Sequence, residues 1–532
     1  MTTCLRTSVI WLAVAGAAGL FSPAPAAGQP QTLTVTAIRV EGNTLLPEPT
    51  LRALTEGVAG SQRSLADLNA LAARIQQAYR TAGYGGVVAY VPPQESDQGT
   101  VVVRVVEGRL AAVRVKGNTH YDAANVRAGL PNLRQGATPR VTAIDRDIQL
   151  TNDSPAKQVK VTLTAGARPG EIDADVGVSD SNPIQFLAGY NNTGTRSTGR
   201  HRISVGVQHA NLFNRDHVGT LQYQTSPEDP DRVRIYSAGY RIPLYAWAAS
   251  FDAFYARSTV SIGTTATVAG PLNFSGRGSV AGLRANRHLD RRGEYDHHLT
   301  FGVDRRDYDD QCSVGDFGAA GCGAAALDLT TAPLSIAYVG QRQGAKRGYG
   351  INALLAVNAG GSARAAFEAA RAGARRHYAV ARFTGYVDQA LAGGVAVNAR
   401  FDMQYTPHRL IAPERYGIGG AASVRGYLER EFSGDLGYLA RVEASMAVPD
   451  LSEGMRLRPY LFLDHGRVRN HGGTPCRDVS TGSCSLSAAG IGARFGFRRN
   501  ASASLDVGRA LERGFATAKD EVRGHVAINL LF

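Results

Sequence analysis

Residues 395–405 read VAVNARFDMQY, and the reading of this stretch decides the fold. Val395, Val397, Ala399, Phe401, Met403 and Tyr405 occupy every second position, and Ala396, Asn398, Arg400, Asp402 and Gln404 fill the gaps. A period of two is a strand, because successive side chains point to opposite faces. A soluble sandwich alternates as well, but it does not put Arg and Asp in mid-strand on its inner face. One face here suits hydrocarbon and the other a water-filled lumen, the pattern of a transmembrane β-barrel with strands of about ten residues. Tyr438, Ala440, Val442, Ala444, Met446 and Val448 repeat it against Leu439, Arg441, Glu443, Ser445 and Ala447. The last strand sets Val526, Ile528, Leu530 and Phe532 against His525, Ala527, Asn529 and Leu531.

Outward from there, residues 182–532 divide into sixteen alternating runs, which predicts a 16-stranded antiparallel barrel. Short links such as Asn214-Arg215-Asp216, Arg292-Gly293-Glu294 and Ala392-Gly393-Gly394 alternate with longer loops. Short periplasmic turns and long extracellular loops are the outer-membrane habit. With the first strand running outward, the C-terminus returns to the periplasm. Cys312 and Cys322 then fall in an outer loop after the seventh strand, and Cys476 and Cys484 in one after the thirteenth. Ala363–Arg376 has helical composition and is read as part of another outer loop.

The N-terminal end is an address. Arg6 precedes an apolar run, Val9–Phe21, too short to span a bilayer, and Ala24-Pro25-Ala26 has the form of a cleavage site. Residues 1–26 are therefore expected to be a signal peptide, and Cys4 is lost with them. In an exported chain the four remaining cysteines, in two close pairs, favour two local disulfides over metal binding.

Between address and barrel, Ile38-Arg39-Val40-Glu41-Gly42-Asn43-Thr44 recurs as Val113-Arg114-Val115-Lys116-Gly117-Asn118-Thr119. Two copies of one small α/β domain are expected, at 33–108 and 109–180, each ordered strand–helix–helix–strand–strand. In the first, Leu51, Leu54 and Val58 mark a helix. Ser64 and Asp67 form a capping box for a second, whose apolar stripe is Leu65, Leu68, Ala72, Ile75 and Tyr79, ended by Gly83. In the second copy a helix starts at Asp122 and another runs near Thr142–Leu150. Either sheet has edges that could accept an extended peptide.

The 532 residues carry 58 Lys+Arg and 45 Asp+Glu, a net charge of +13. Arginine spread through a polar lumen and loops accounts for this without a nucleic-acid partner. A hydrophobic share of 44% opposes disorder, and no apolar run, Val9–Phe21 included, is long enough for a spanning helix.

Two small repeats followed by such a barrel resemble POTRA domains on an Omp-type transporter. Ser423-Val424-Arg425-Gly426-Tyr427 resembles the VRGY loop motif of the TpsB family (ShlB/FhaC/HecB type), the outer-membrane half of two-partner secretion. Phe462-Leu463-Asp464 with Gly466 is similar to that family's F-x-D strand motif. Asn191-Asn192-Thr193-Gly194 with Ser197-Thr198-Gly199, and Gly434-Asp435-Leu436-Gly437 with Glu443, fit the same family.

The resemblance implies a pore that exports one unfolded TpsA-type partner to the surface or medium without ATP. Its setting would be outer-membrane lipid, its POTRA domains periplasmic, and its insertion dependent on the barrel assembly machinery, with Phe532 in the C-terminal assembly signal. It also implies that the loop carrying Arg425 folds into the barrel, where Arg425 meets Asp464 in a bidentate contact. Arg441 and Glu443 are candidate lumen charges, and His465 is read as a neutral neighbour. Many members carry an N-terminal plug helix. A mature start near Ala27 leaves no room for one before the strand near Leu33. The alternative function is an assembly factor resembling BamA or TamA, although those usually carry three or more POTRA domains. No GxSxG, HExxH or Walker A pattern occurs, so neither an enzyme nor any cofactor or metal is expected.

Overall fold

The computed structural model describes residues 32–95, 98–195, 198–260, 263–274, 277–309, 328–448, 453–473, 482–498 and 500–532. The expected signal peptide and Cys312, Cys322 and Cys476 lie outside the described residues, and both expected disulfides with them. Cys484 does not lie in a loop: it stands in the strand Ser483–Phe497. The chain forms two compact units, one ending at residue 82 and completed by 87–107, the other comprising 83–86 and 108–532.

In the first unit the strand Thr100–Glu107 is central, parallel to Ala37–Glu41 and antiparallel to Val87–Tyr90. Helices Glu48–Thr55 and Leu65–Thr81 complete it. Ser64 and Asp67 cap the longer helix reciprocally: Ser64 N–H donates to Asp67 Oδ2 at 2.9 Å, and Asp67 N–H donates to Ser64 Oγ at 3.3 Å. Its buried face is Leu68, Leu71, Ala72, Ile75 and Tyr79. Leu65, expected on that face, is 63% exposed, because it sits in the first turn beyond the sheet's reach. Thr32–Val35 is the strand expected near Leu33, and its partner Ser61–Ser64 was not anticipated, since SQRS has no apolar residue to alternate. Glu107 receives Thr44 N–H at 2.7 Å and Leu45 N–H at 3.0 Å. Burial alone would raise its carboxyl; these bonds and Tyr79 hold it below its ordinary range.

The second unit opens with the same order: strand Arg109–Lys116, helices Ala123–Ala128 and Val141–Asn152, strands Lys157–Ala165 and Glu171–Asp180. Asp122 caps the first helix through Asn125 N–H at 2.7 Å. Asp180 takes the place of Glu107, accepting from the backbone of Thr119, His120 and Tyr121. The sheet is again three-stranded, with Glu171–Asp180 in the middle.

Sixteen antiparallel strands follow, from Ile184–Asn191 to Val522–Leu531, and the last pairs with the first to close the barrel. The outward face is apolar: Val205, Leu221, Leu461 and Ile491 are all more than half exposed. The twelfth strand, Leu436–Met446, stops short of Val448. Phe532 follows the last strand, its backbone paired in both directions with Phe186. Helix Arg364–Ala370 lies in the long loop between the ninth and tenth strands, shorter than the expected Ala363–Arg376 segment.

Candidate functional site

The site starts with an exception to the alternation. Leu439, Val468, Leu486, Ala488 and Ala510 lie on the inward face of strands twelve to fifteen, where polar residues would suit water. They are buried because residues 406–435, the loop between the eleventh (Val395–Tyr405) and twelfth strands, turn back into the barrel and cover them with Ile418, Val424, Tyr427 and Phe432. Burying each such side chain stabilises the docked loop by roughly 1.5–3 kcal/mol. Tyr427 Oη sits 2.9 Å from Ser487 O and 2.8 Å from Glu512 O, and it accepts Glu512 N–H at 3.1 Å.

At the tip the backbone of Gly426 (φ +88°) lies directly on Gly508 of the fifteenth strand, Ala501–Ala510. A Cβ on Gly508 would stand 2.9 Å from Gly426 N and 3.1 Å from Arg425 C, so glycine is required for the contact. Gly426 N–H donates to His525 Nε2 at 3.0 Å.

This approach presses Arg425 into the wall, where it is 1% exposed. Its Nε and Nη2 donate to Asp464 Oδ2 and Oδ1, each at 2.7 Å, and its own backbone N–H adds a third bond to Asp464 at 3.1 Å. Nη1 donates to Glu443 Oε1 at 2.7 Å and to Asp506 Oδ1 at 2.8 Å. The guanidinium lies 3.6 Å from the centre of the Phe462 ring. Phe462 and Asp464 therefore act on the same group, two residues apart on the inward face of the thirteenth strand, Met455–Arg469.

Three carboxylates face one arginine, and two more arginines balance them. Arg494 donates to Glu443 Oε2 at 2.6 Å, and Arg441 lies 3.6 Å from both Glu443 and Asp464 while bonding Ala422 O of the loop. Three cations against three anions leave the cluster neutral, and nearly every polar atom of Arg425 has a partner. That is the condition under which ion pairing and hydrogen bonds offset the cost of desolvation, so that a buried ionic group can hold one conformation.

Among residues singled out from sequence, Val424, Arg425, Gly426, Tyr427, Phe462, Asp464, Arg441 and Glu443 all belong to this one assembly. His465 stands beside it, bonded to Ser487 Oγ at 2.8 Å. Sequence reasoning missed Asp506, His525 and Gly508. The signal available was the run of apolar residues on the inward face.

The model of the haemolysin secretion/activation proteins ShlB/FhaC/HecB matches residues 170–495, well over half of the chain. The chain belongs to this family. The ShlB-type POTRA model matches residues 33–108. The heme/hemopexin transporter protein HuxB of Haemophilus influenzae is 27% identical over 161 residues, 30% of this chain and 28% of that protein. The outer membrane transporter CdiB of Dickeya dadantii is 26% identical over 182 residues, 34% and 32% of the two chains. These alignments thus span about a third or less of the relatives' lengths. The solved structure of CdiB from Escherichia coli superposes with a TM-score of 0.76 at 19% identity, covering 96% of this chain and 93% of that one, which establishes a shared fold. As a family member the chain is an outer-membrane β-barrel with its POTRA domain in the periplasm.

With that orientation, two more motif segments have addresses. Asn192 closes the barrel at its outer end: its Nδ2 donates to Gly524 O and its Oδ1 accepts Val526 N–H, both at 2.9 Å. Asp435, wholly buried, binds Arg371 of the ninth–tenth loop, Leu410 N–H at 2.9 Å and His471 N–H at 2.8 Å, so one carboxylate gathers three outer loops. On the periplasmic side a second buried ion pair was not legible in sequence. Lys157 Nζ binds both oxygens of Asp216, at 2.8 and 2.7 Å, and Asn125 Oδ1 at 2.7 Å.

Proposed function

We infer that this protein is a translocation pore of two-partner secretion: it takes one unfolded TpsA-type protein from the periplasm and passes it through the outer membrane without ATP. The observation that carries this reading is the loop locked inside the lumen by Arg425. A passive porin has no use for a plug held by a neutral, closely partnered ionic cluster, whereas a conduit for an occasional polypeptide must stay shut between substrates. The second repeat, 109–180, acts as a second POTRA domain, and residues 1–26 as the signal peptide. Capture is assigned to the open sheet edges, Ala37–Glu41 or Val87–Tyr90 in the first repeat and Arg109–Lys116 or Lys157–Ala165 in the second. Free energy for transit comes from that capture and from folding of the substrate outside. The barrel assembly machinery inserts the chain, reading the C-terminal strand that ends at Phe532. No catalytic chemistry is assigned.

The test compares the secreted and outer-membrane proteomes of the host with and without the gene. Loss of one large secreted or surface protein, with other barrels unchanged, is expected. A broad fall in many outer-membrane proteins would make the chain an assembly factor instead. In the same host Arg425→Ala is expected to insert normally and lose export; export at wild-type surface levels would remove the proposed role of the lock.

A further inference from the structure

A second segment enters the lumen, from the opposite wall. Between the fifth strand (Ala249–Ser258) and the sixth (Gly278–His288), the chain forms a hairpin, Gly263–Thr267 paired with Gly270–Phe274. Its first strand lies against strands three, four and five of the barrel. The tip is fixed at two points of the fourth strand, Arg234–Leu244. Gly239 has no side chain where Val268 rests: a Cβ there would stand 2.8 Å from Val268 Cγ2 and 3.0 Å from its backbone N. Arg241, held by Asp252 at 2.6 and 3.1 Å, donates from Nη2 to Val268 O at 2.9 Å.

The geometry says how deep the tip goes. The fourth strand runs from its outer end at Arg234 to its periplasmic end at Leu244, so Arg241 is three residues, about 10 Å, from the periplasmic rim. From Gly263 to Val268 the hairpin spans about 17 Å, roughly two thirds of the height of the apolar band of such a barrel. The wall above the tip carries the mark seen under the Arg425 loop. Ile235, Phe254, Ala256 and Val280 point inward yet are buried and apolar, clustered with Val233 and Val260. In a ring of sixteen strands the fourth and the thirteenth are seven apart one way and nine the other. The two inward segments therefore rest on nearly opposite walls.

We propose that the hairpin 263–274 is a second plug, which closes the side of the pore facing the Arg425 loop and must leave Gly239 and Arg241 when a polypeptide passes. This rests on the export reading in its second half only; occlusion of the lumen stands without it.

The test is a cross-link. Gly239→Cys/Val268→Cys places one sulfur where Val268 Cγ2 now lies, close enough to the other residue for a disulfide. The full-length protein is oxidised with copper–phenanthroline in cells, beside wild type given the same treatment, and the bond is identified by peptide mass spectrometry. The cross-link is expected to form, export of the partner to fall at least tenfold, and dithiothreitol to restore it. Unchanged export by the cross-linked protein would overturn the proposal; where the added Cβ at Gly239 itself displaces Val268 and no bond forms, the second variant decides. A second variant, with 263–274 replaced by a short Gly-Ser link, is read in planar bilayers. Its single-channel conductance is expected to rise severalfold, and an unchanged conductance would equally overturn the plug. If wild type itself exports no partner, the export reading fails while the conductance comparison still decides whether the hairpin occludes.

Discussion

At the scale of single residues, the lock depends on two kinds of economy: atoms that are absent and donors that are many. Gly508 matters because it has nothing to offer the tip but room. Gly508→Val would put carbon 2.9 Å from Gly426 N, a backbone atom that cannot step aside. Overpacking of this kind costs about 1–3 kcal/mol, enough to lift the tip and expose the loop. Faster protease cleavage within 406–435, with the barrel's own heat-resistant mobility on gels preserved, is the expected result. Arg425 is the converse case. Its side chain makes four hydrogen bonds and stacks on a ring, and a lysine can supply neither the fork nor the plane. Arg425→Lys is therefore expected to resemble Arg425→Ala in surface export far more than wild type, although it keeps the charge. Removing one partner of a buried ionic cluster costs roughly 3–5 kcal/mol, because the remaining charges stay buried.

At the scale of elements, two sites in the second repeat make separate predictions. Lys157, on the strand Lys157–Ala165, and Asp216, in the turn after the second barrel strand, form an ion pair with side chains 0% and 3% exposed. Lys157→Met leaves Asp216 buried without its cation and should lower stability by about 3–5 kcal/mol, whereas Lys157→Met/Asp216→Asn should recover much of the loss. Amide exchange across 157–165 would show it. Asp147, on helix Val141–Asn152, concerns pH. Burial pushes its carboxyl up to about 6, against the pull of Asn132, which donates from both its backbone and its side chain. A folded-state value above the unfolded one, near 4, means that the folded form binds the extra proton. The associated stability is present below pH 4 and is lost as pH rises through 6, on the order of 3 kcal/mol. Asp147→Asn should remove that slope, measured as the urea midpoint by pulse proteolysis at pH 4.5 and 7.5; an unchanged difference between the two pH values would refute it. Carboxyls held low, such as Glu107, act in the opposite sense but equally in both proteins.

These elements also show where sequence was legible. Strands and repeats could be read because hydrocarbon, lumen and sheet each impose a period on neighbours in the chain. The Arg425 contact could be read from motif resemblance. Lys157 and Asp216 lie 59 residues apart with nothing local to mark either, and the hairpin 263–274 has no period distinct from a barrel strand. The one trace of inward loops was misplaced hydrophobicity, Leu439 and Val468 on one wall and Ile235 and Val280 on the other, which looks like noise until the Arg425 loop is seen to cover the first and Val260, at the root of the loop that carries the hairpin, to join the second.

At the scale of the whole molecule, a barrel must find its own beginning. Each strand from the second to the sixteenth pairs with the neighbour just made, but closure joins Leu187 to Leu531 across nearly the whole barrel sequence. Contacts of such separation form late, after the entropy of the intervening chain has been lost to local pairing. The seam is also short: Ala527–Leu531 against Asn191–Leu187, five pairs, where strands thirteen and fourteen share fifteen. Above these five pairs only Asn192 continues the ladder, its side chain standing in for a missing strand residue at Gly524 and Val526 while its own N–H reaches Val526 O at 3.2 Å. Asn192→Ala removes both side-chain bonds and should cost about 1–3 kcal/mol, all of it at the seam. The temperature at which the folded band converts to the unfolded band on gels should fall by several degrees. Amide exchange should rise at 524–526 and leave the thirteenth strand unchanged. An even rise around the ring would mean that closure is no weaker than any other pairing, and the barrel would have no preferred place to open.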